Sequence, residues 1–179
     1  MHINQYNFFC FINQYDPKLI NKLPNNTSLI YRNYDEKINL EELVSIRKFC
    51  KRKKLKFYLS NNIKLALKLD LDGAYIPAFN KGMLHNCYSF KKNFVILGSA
   101  HNLREIKIKQ NQNVQNIFIS PIFFNPKNKY LLGIYRFMLL RKFIYKQVTC
   151  LGGINSKNLK ILRMLNIKNI AGISYFKLL

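Results

Sequence analysis

Cys150-Leu151-Gly152-Gly153-Ile154-Asn155 ends an apolar, β-branched run, Gln147 to Leu151, in two glycines and passes into a stretch with helical spacing. Two glycines at a strand end let the main chain approach a ligand, and the N–H groups around the following helix start point at a bound anion. A second apolar strand, Asn169 to Ile173, ends in Gly172-Ile173-Ser174. Either turn alone is an ordinary end to a strand. As a pair on the last two strands they have the pattern of the phosphate site of a (β/α)8 barrel.

Working outward from that pair, strand-like runs occur at Phe8 to Ile12, Leu29 to Tyr31, Leu55 to Leu59, Gly73 to Ile76, Phe94 to Leu97, Ile117 to Ser120, Val148 to Leu151 and Ile170 to Ile173. Between them, Asn39 to Lys53, Asn61 to Leu69, Asn102 to Gln110, Leu131 to Phe143 and Asn155 to Leu165 carry apolar residues at helical spacing, with Asn61, Asn102 and Asn155 at N-cap positions. The first crossover, Asp16 to Leu23, has room for a short helix only. Alternation of strand and helix over eight repeats predicts an α/β fold, a (β/α)8 TIM barrel slightly trimmed at its C-terminal end, with an open parallel sheet as the alternative. The 179 residues read as one domain spanning 1–179.

An apolar fraction of 49% with no membrane-length apolar run, and no signal-peptide pattern at Met1 to Asn13, predict a cytoplasmic protein. Cys10, Cys50, Cys87 and Cys150 have no metal-ligand or disulfide spacing. The net charge of +22 comes mostly from Lys dispersed along the chain among abundant Asn and Ile, so nucleic-acid binding is a third reading, behind attraction of small anionic substrates. The eight acidic residues are Asp16, Asp35, Glu36, Glu41, Glu42, Asp70, Asp72 and Glu105. Paired-carboxylate chemistry must therefore draw on the first part of the chain.

The segments Tyr31-Arg32, Gly98-Ser99-Ala100-His101-Asn102, Ser120-Pro121-Ile122-Phe123, Leu151-Gly152-Gly153-Ile154-Asn155 and Gly172-Ile173-Ser174 follow one another at strand ends. As an ordered set they resemble the thiamine phosphate synthase and TenI family, over nearly the whole chain. The resemblance implies a transferase that couples hydroxymethylpyrimidine diphosphate to thiazole phosphate, giving thiamine phosphate and diphosphate, with Mg2+ and basic side chains assisting the leaving group. It implies small phosphates and diphosphates as partners. Arg32 takes the place of the arginine in the family's diphosphate motif, with Ile30 and Tyr34 where that motif has Gln and Lys. Ser99 matches a serine beside the diphosphate, and His101 follows it in the same pattern; Ser99 or Asn102 could equally cap the next helix. Asn125 occupies a threonine position of the loop over both substrates. The family lysine falls at Asn128 by strict spacing and at Lys129 with a shift of one, Lys129 being the preferred diphosphate contact. Gly152, Gly153, Ile173 and Ser174 match the thiazole phosphate anchor, and Tyr31 adjoins the diphosphate arginine.

The pattern departs from the family at the metal. Ser60-Asn61 and Asn80 stand where the synthase carries its two magnesium aspartates, and an amide supplies no negative charge for a hard divalent cation. Asp35 and Glu36 are possible substitutes. Pro121 stands where the TenI tautomerase branch carries a histidine, which turns the resemblance toward the synthase. A relative that binds phosphate ligands without catalysing the coupling is the second expectation.

Overall fold

The computed structural model describes residues 6–34, 38–124 and 131–172. Its strands are β1 (Asn7–Ile12), β2 (Thr27–Tyr31), β3 (Lys56–Ser60), β4 (Gly73–Ile76), β5 (Val95–Ala100), β6 (Asn116–Ile119), β7 (Gln147–Leu151) and β8 (Asn169–Gly172). All neighbours pair in parallel in sequence order, and β1 returns to β8 through Phe8↔Ile170 and Cys10↔Gly172. The sheet is a closed (β/α)8 barrel, and the open-sheet alternative does not hold.

Helices α1 (Pro17–Lys22), α2 (Leu40–Lys53), α3 (Ile63–Lys68), α4 (Leu103–Asn111), α5 (Ile134–Arg141) and α6 (Ser156–Met164) lie between the strands. Polar side chains start most of them. Asp16, Asn39, Asn62, Asn102 and Asn155 each accept a hydrogen bond from a first-turn N–H. Asn62, not the expected Asn61, caps α3, because Asn61 sits in the left-handed region at φ 60° and donates its N–H to Tyr75 O at 2.8 Å. The expected start of α5 at Leu131 moves to Ile134, since Leu132 N–H is bound by Pro121 O at 2.9 Å and Gly133 takes φ 78°. β5 runs to Ala100, three residues past the expected end, which places Ser99 inside the strand. Between β4 and β5 the chain makes only a 3-10 turn, Leu84–Cys87.

Strand alternation divides the apolar residues into two cores. Outward-facing side chains such as Phe8, Cys10, Leu29, Phe57 and Ile117 pack beneath the helices. Inward, Phe9, Phe11, Ile30, Tyr58, Tyr75, Leu97, Phe118 and Ala171 fill the barrel. Phe118 is the hub: its ring meets Phe9, Tyr75 and Phe11 edge-on at 4.9, 5.4 and 6.0 Å. Each such ring contributes roughly 1.5–3 kcal/mol by burial alone. This plug separates the two mouths of the barrel.

Candidate functional site at the carboxyl ends of the strands

The first turn beyond β2 carries Arg32. Its N–H is held by Ile12 O at 2.7 Å, and its half-buried guanidinium lies 5.3 Å from the Phe11 ring centroid. A cation resting on the face of the central plug is oriented without being neutralised. Tyr31, next to it, is turned the other way, outward: its hydroxyl donates to Glu42 Oε2 on α2 at 2.8 Å. It therefore braces α2 instead of facing the mouth.

Across the mouth, the Tyr34 and Ser60 hydroxyls are 2.7 Å apart, and the Tyr34 ring packs edge-on against Phe79 at 5.4 Å. Burial pushes the Tyr34 hydroxyl above its ordinary value, the Ser60 bond and the Arg32 charge offsetting part of the rise. Ser99 is buried and hydrogen-bonded to the Tyr75 hydroxyl, whose burial holds it well above the usual range for a phenol. Tyr75 thus stays neutral.

His101 lies beyond β5, with Nδ1 2.8 Å from Ser120 O. A carbonyl oxygen only accepts, so Nδ1 carries a proton in this contact. Glu105 is consumed locally, accepting from His101 N–H at 2.7 Å and from Asn102 Nδ2 at 3.0 Å. Ser99 takes no part in the cap, which Asn102 supplies.

The double glycine is required sterically. Gly152 and Gly153 have φ of 96° and 69°, and a Cβ on Gly153 would fall 2.5 Å from Phe123 O. Ile122 N–H and Phe123 N–H bind Leu151 O and Gly152 O, both at 3.1 Å, so this turn is zipped to the segment after β6. Asn155 Oδ1 takes the N–H groups of Lys157 and Asn158, while Asn158 Nδ2 donates to Gly153 O at 2.8 Å. Two of the helix-start donors are thereby already used. Asn125, Asn128, Lys129, Ile173, Ser174, Asp35 and Glu36 lie outside the described residues.

At the two family metal positions, Asn80 Nδ2 donates to Asn61 Oδ1 at 2.7 Å, and Asn80 Oδ1 accepts from Gly82 N–H at 2.9 Å. The amides satisfy each other where two carboxylates would repel and demand a cation. Behind them a buried ammonium, Lys109 Nζ, donates to Pro77 O, Asn80 O and Gln112 Oε1 at 2.8, 2.7 and 2.8 Å. A positive charge hydrogen-bonded to the backbone of Asn80 further opposes a divalent ion. Among the described residues no three His, Cys, Asp or Glu side chains gather as a metal site. These residues do not fit the magnesium of the family.

Converting both, Asn61→Asp with Asn80→Asp, is expected to lower the melting temperature without metal, by like-charge repulsion. Magnesium then restores it, by about 2.7 kcal/mol at a hundredfold excess over its dissociation constant, while leaving the parent chain unmoved. Thermal melts with and without the ion check this.

Lys109, Gln112, Phe79 and the Tyr34–Ser60 bond were not foreseen from the sequence. Lys109 does sit three residues after buried Ile106 on the inner face of α4, a spacing that marks it as facing the core.

No helix among the described residues is long and apolar enough to cross a membrane. The chain is 28% identical to a thiamine-phosphate synthase of Prochlorococcus marinus strain AS9601 over 138 residues, 76% of this chain, and spans 39% of that relative's length. It is 26% identical to the thiamine-phosphate synthase of Persephonella marina over 148 residues, covering 80% of this chain and 69% of the relative. The fold is similar to a thiamine phosphate pyrophosphorylase from Pyrococcus furiosus, with a TM-score of 0.74 at 15% identity over 95% of this chain and 86% of that one. Residues 20–176 match the family described as thiamine monophosphate synthase, a match that runs from the first helix past the last strand, and the chain belongs to that family.

Proposed function

We propose that the carboxyl-end mouth couples a hydroxymethylpyrimidine diphosphate to a thiazole phosphate. The observation that carries this reading is Arg32, a cation braced on the Phe11 ring at the barrel mouth. The bond between the pyrimidine methylene carbon and the diphosphate oxygen breaks, and its electron pair leaves with diphosphate. The thiazole nitrogen lone pair forms the new C–N bond, giving thiamine phosphate. Arg32 grips the departing diphosphate through paired N–H donors and stabilises the charge it gains. Ser99 and Lys129 are further proposed contacts of that group. Gly152, Gly153, Ile173 and Ser174 are the proposed anchor of the thiazole phosphate, and Asn125 is a proposed contact in the loop over both substrates. No step is assigned to magnesium.

The test is a coupling assay with both substrates, with and without magnesium, reading thiamine phosphate and diphosphate. Arg32→Gln is expected to lower kcat by about 10²–10³-fold, the effect of losing one strong donor to developing negative charge. The bonded Asn61–Asn80 pair favours a second reading, a relative that binds without turnover. Stabilisation by thiazole phosphate with no product formed establishes that second reading and excludes the first.

A further inference from the structure

A cavity of about 860 Å3 opens at the other end of the barrel, between the strand starts. A barrel interior of this size is normally filled by layers of branched apolar side chains. Here the inward positions at the amino-terminal end are mostly polar: Asn7, Ser28, Lys56, Asn116, Gln147 and Asn169, with Val95 apolar among them. Beneath them, Phe9, Tyr58 and Leu97 form an apolar floor on the central plug.

Part of this polar layer is internally fixed. Asn7 Nδ2 donates to Asn169 Oδ1 at 2.9 Å, and Thr149 Oγ1 donates to Asn116 Oδ1 at 2.8 Å. Asn116 is only 3% exposed. Lys54 and Lys146 join Lys56 around the opening, and among the described residues no carboxylate lines it. Asp70 and Asp72 line a neighbouring pocket together with Lys54 and Lys56. Asp70 pairs with Arg47 and Lys91, and Asp72 accepts from Phe57 N–H.

Ammonium groups with no salt bridge among the described residues, amides and an apolar floor in a volume typical of small-molecule sites are the components of a phosphorylated-ligand pocket. We propose that this amino-terminal cavity binds a small phosphorylated molecule. Lys54, Lys56 and Lys146 take its phosphate, the amides of Asn116, Gln147 and Asn169 meet a polar body, and Phe9 and Tyr58 carry its apolar face. The site is separate from the carboxyl-end mouth and independent of the reaction proposed there.

The experiment follows the side-chain amide NMR signals of Asn116, Gln147 and Asn169 in the full chain carrying Arg32→Gln, so that the opposite mouth is weakened. Ribose 5-phosphate and inorganic phosphate are the probes. The expected result is saturable movement of those signals, tighter for the sugar phosphate, and weakened about tenfold or more when Lys54, Lys56 and Lys146 are all changed to Gln. All three lysines are exposed, so the triple variant should fold; should it not, Lys56→Gln alone carries the same readout. Three results overturn the proposal: no movement below about 10 mM probe, movement indifferent to the lysines, or movement caused by an RNA oligonucleotide and by neither small phosphate.

Discussion

Gly73→Ala is expected to abolish the fold. A Cβ at that position, in the first residue of β4, would lie 1.9 Å from Val95 O and 2.8 Å from Tyr58 Cε1. The obstructing atom is main chain of the neighbouring strand, so relief requires β4 and β5 to part, and Tyr58 to leave its place in the plug. Overpacking against a flexible side chain costs about 1–3 kcal/mol; against paired backbone in a closed barrel the expected cost exceeds about 4–5 kcal/mol, which matches the whole stability of many domains. Two other glycines calibrate it. At Gly98 the nearest atom is Lys109 Cδ at 3.0 Å, and at Gly133 nothing lies within 4 Å, although φ is 78°. Gly133→Ala should lose about 1–3 kcal/mol, because φ 78° with ψ 162° is a backbone conformation essentially confined to glycine. Circular dichroism and denaturant melts of the three variants should single out position 73 as the one whose substitution abolishes the fold.

Lys109→Met should cost about 3 kcal/mol, from three charge-assisted hydrogen bonds at about 1.5–3 kcal/mol each, less the desolvation that the buried ammonium no longer suffers. Pro77 O and Asn80 O keep other donors, Asn80 N–H and Gln112 Nε2 respectively, whereas Gln112 Oε1 is left bare. The pH dependence separates this lysine from a neutral packing residue. Burial lowers Lys109 from 10.5 to about 8, Glu105 opposing the shift. Between those values the unfolded chain binds the proton that the folded chain has released, so this group's share of stability rises with pH from about 8 toward 10.5. The variant should lose that slope, and urea melts at pH 7.5, 8.5 and 9.5 are the measurement.

Much of the barrel was legible because its signals are local. Strand runs bounded by Asn, Gly and Pro, and the N-caps Asn102 and Asn155, are set by residues within a turn of one another. The misplaced cap at Asn61 is instructive: two adjacent asparagines offer the same side chain, and a contact with Tyr75, on the next strand, decides between them. The placement of the candidate residues was legible in part. Ser99 shares the inward face of β5 with Leu97, and Arg32, just past β2, rests on the inward Phe11 ring, because alternation along a strand fixes the face. Tyr31 lies one residue from Arg32 and faces outward for the same reason. The Asn61–Asn80 bond and the Lys109 contacts join separate crossovers, which no local pattern encodes. Lys109 in particular has the residue type of a solvated face at the spacing of a core one.

Lys109 also bears on how the crossover between β4 and β5 can vary. Its ammonium holds that segment by the carbonyl oxygens of Pro77 and Asn80, and Gln112 adds Gly82 O at 2.8 Å. Carbonyl oxygens are common to every amino acid. The path of the crossover is thereby secured without reference to most of the side chains it carries, so its outer residues can be rewritten, or a foreign peptide grafted into them, while the rim beside Asn80 stays in place.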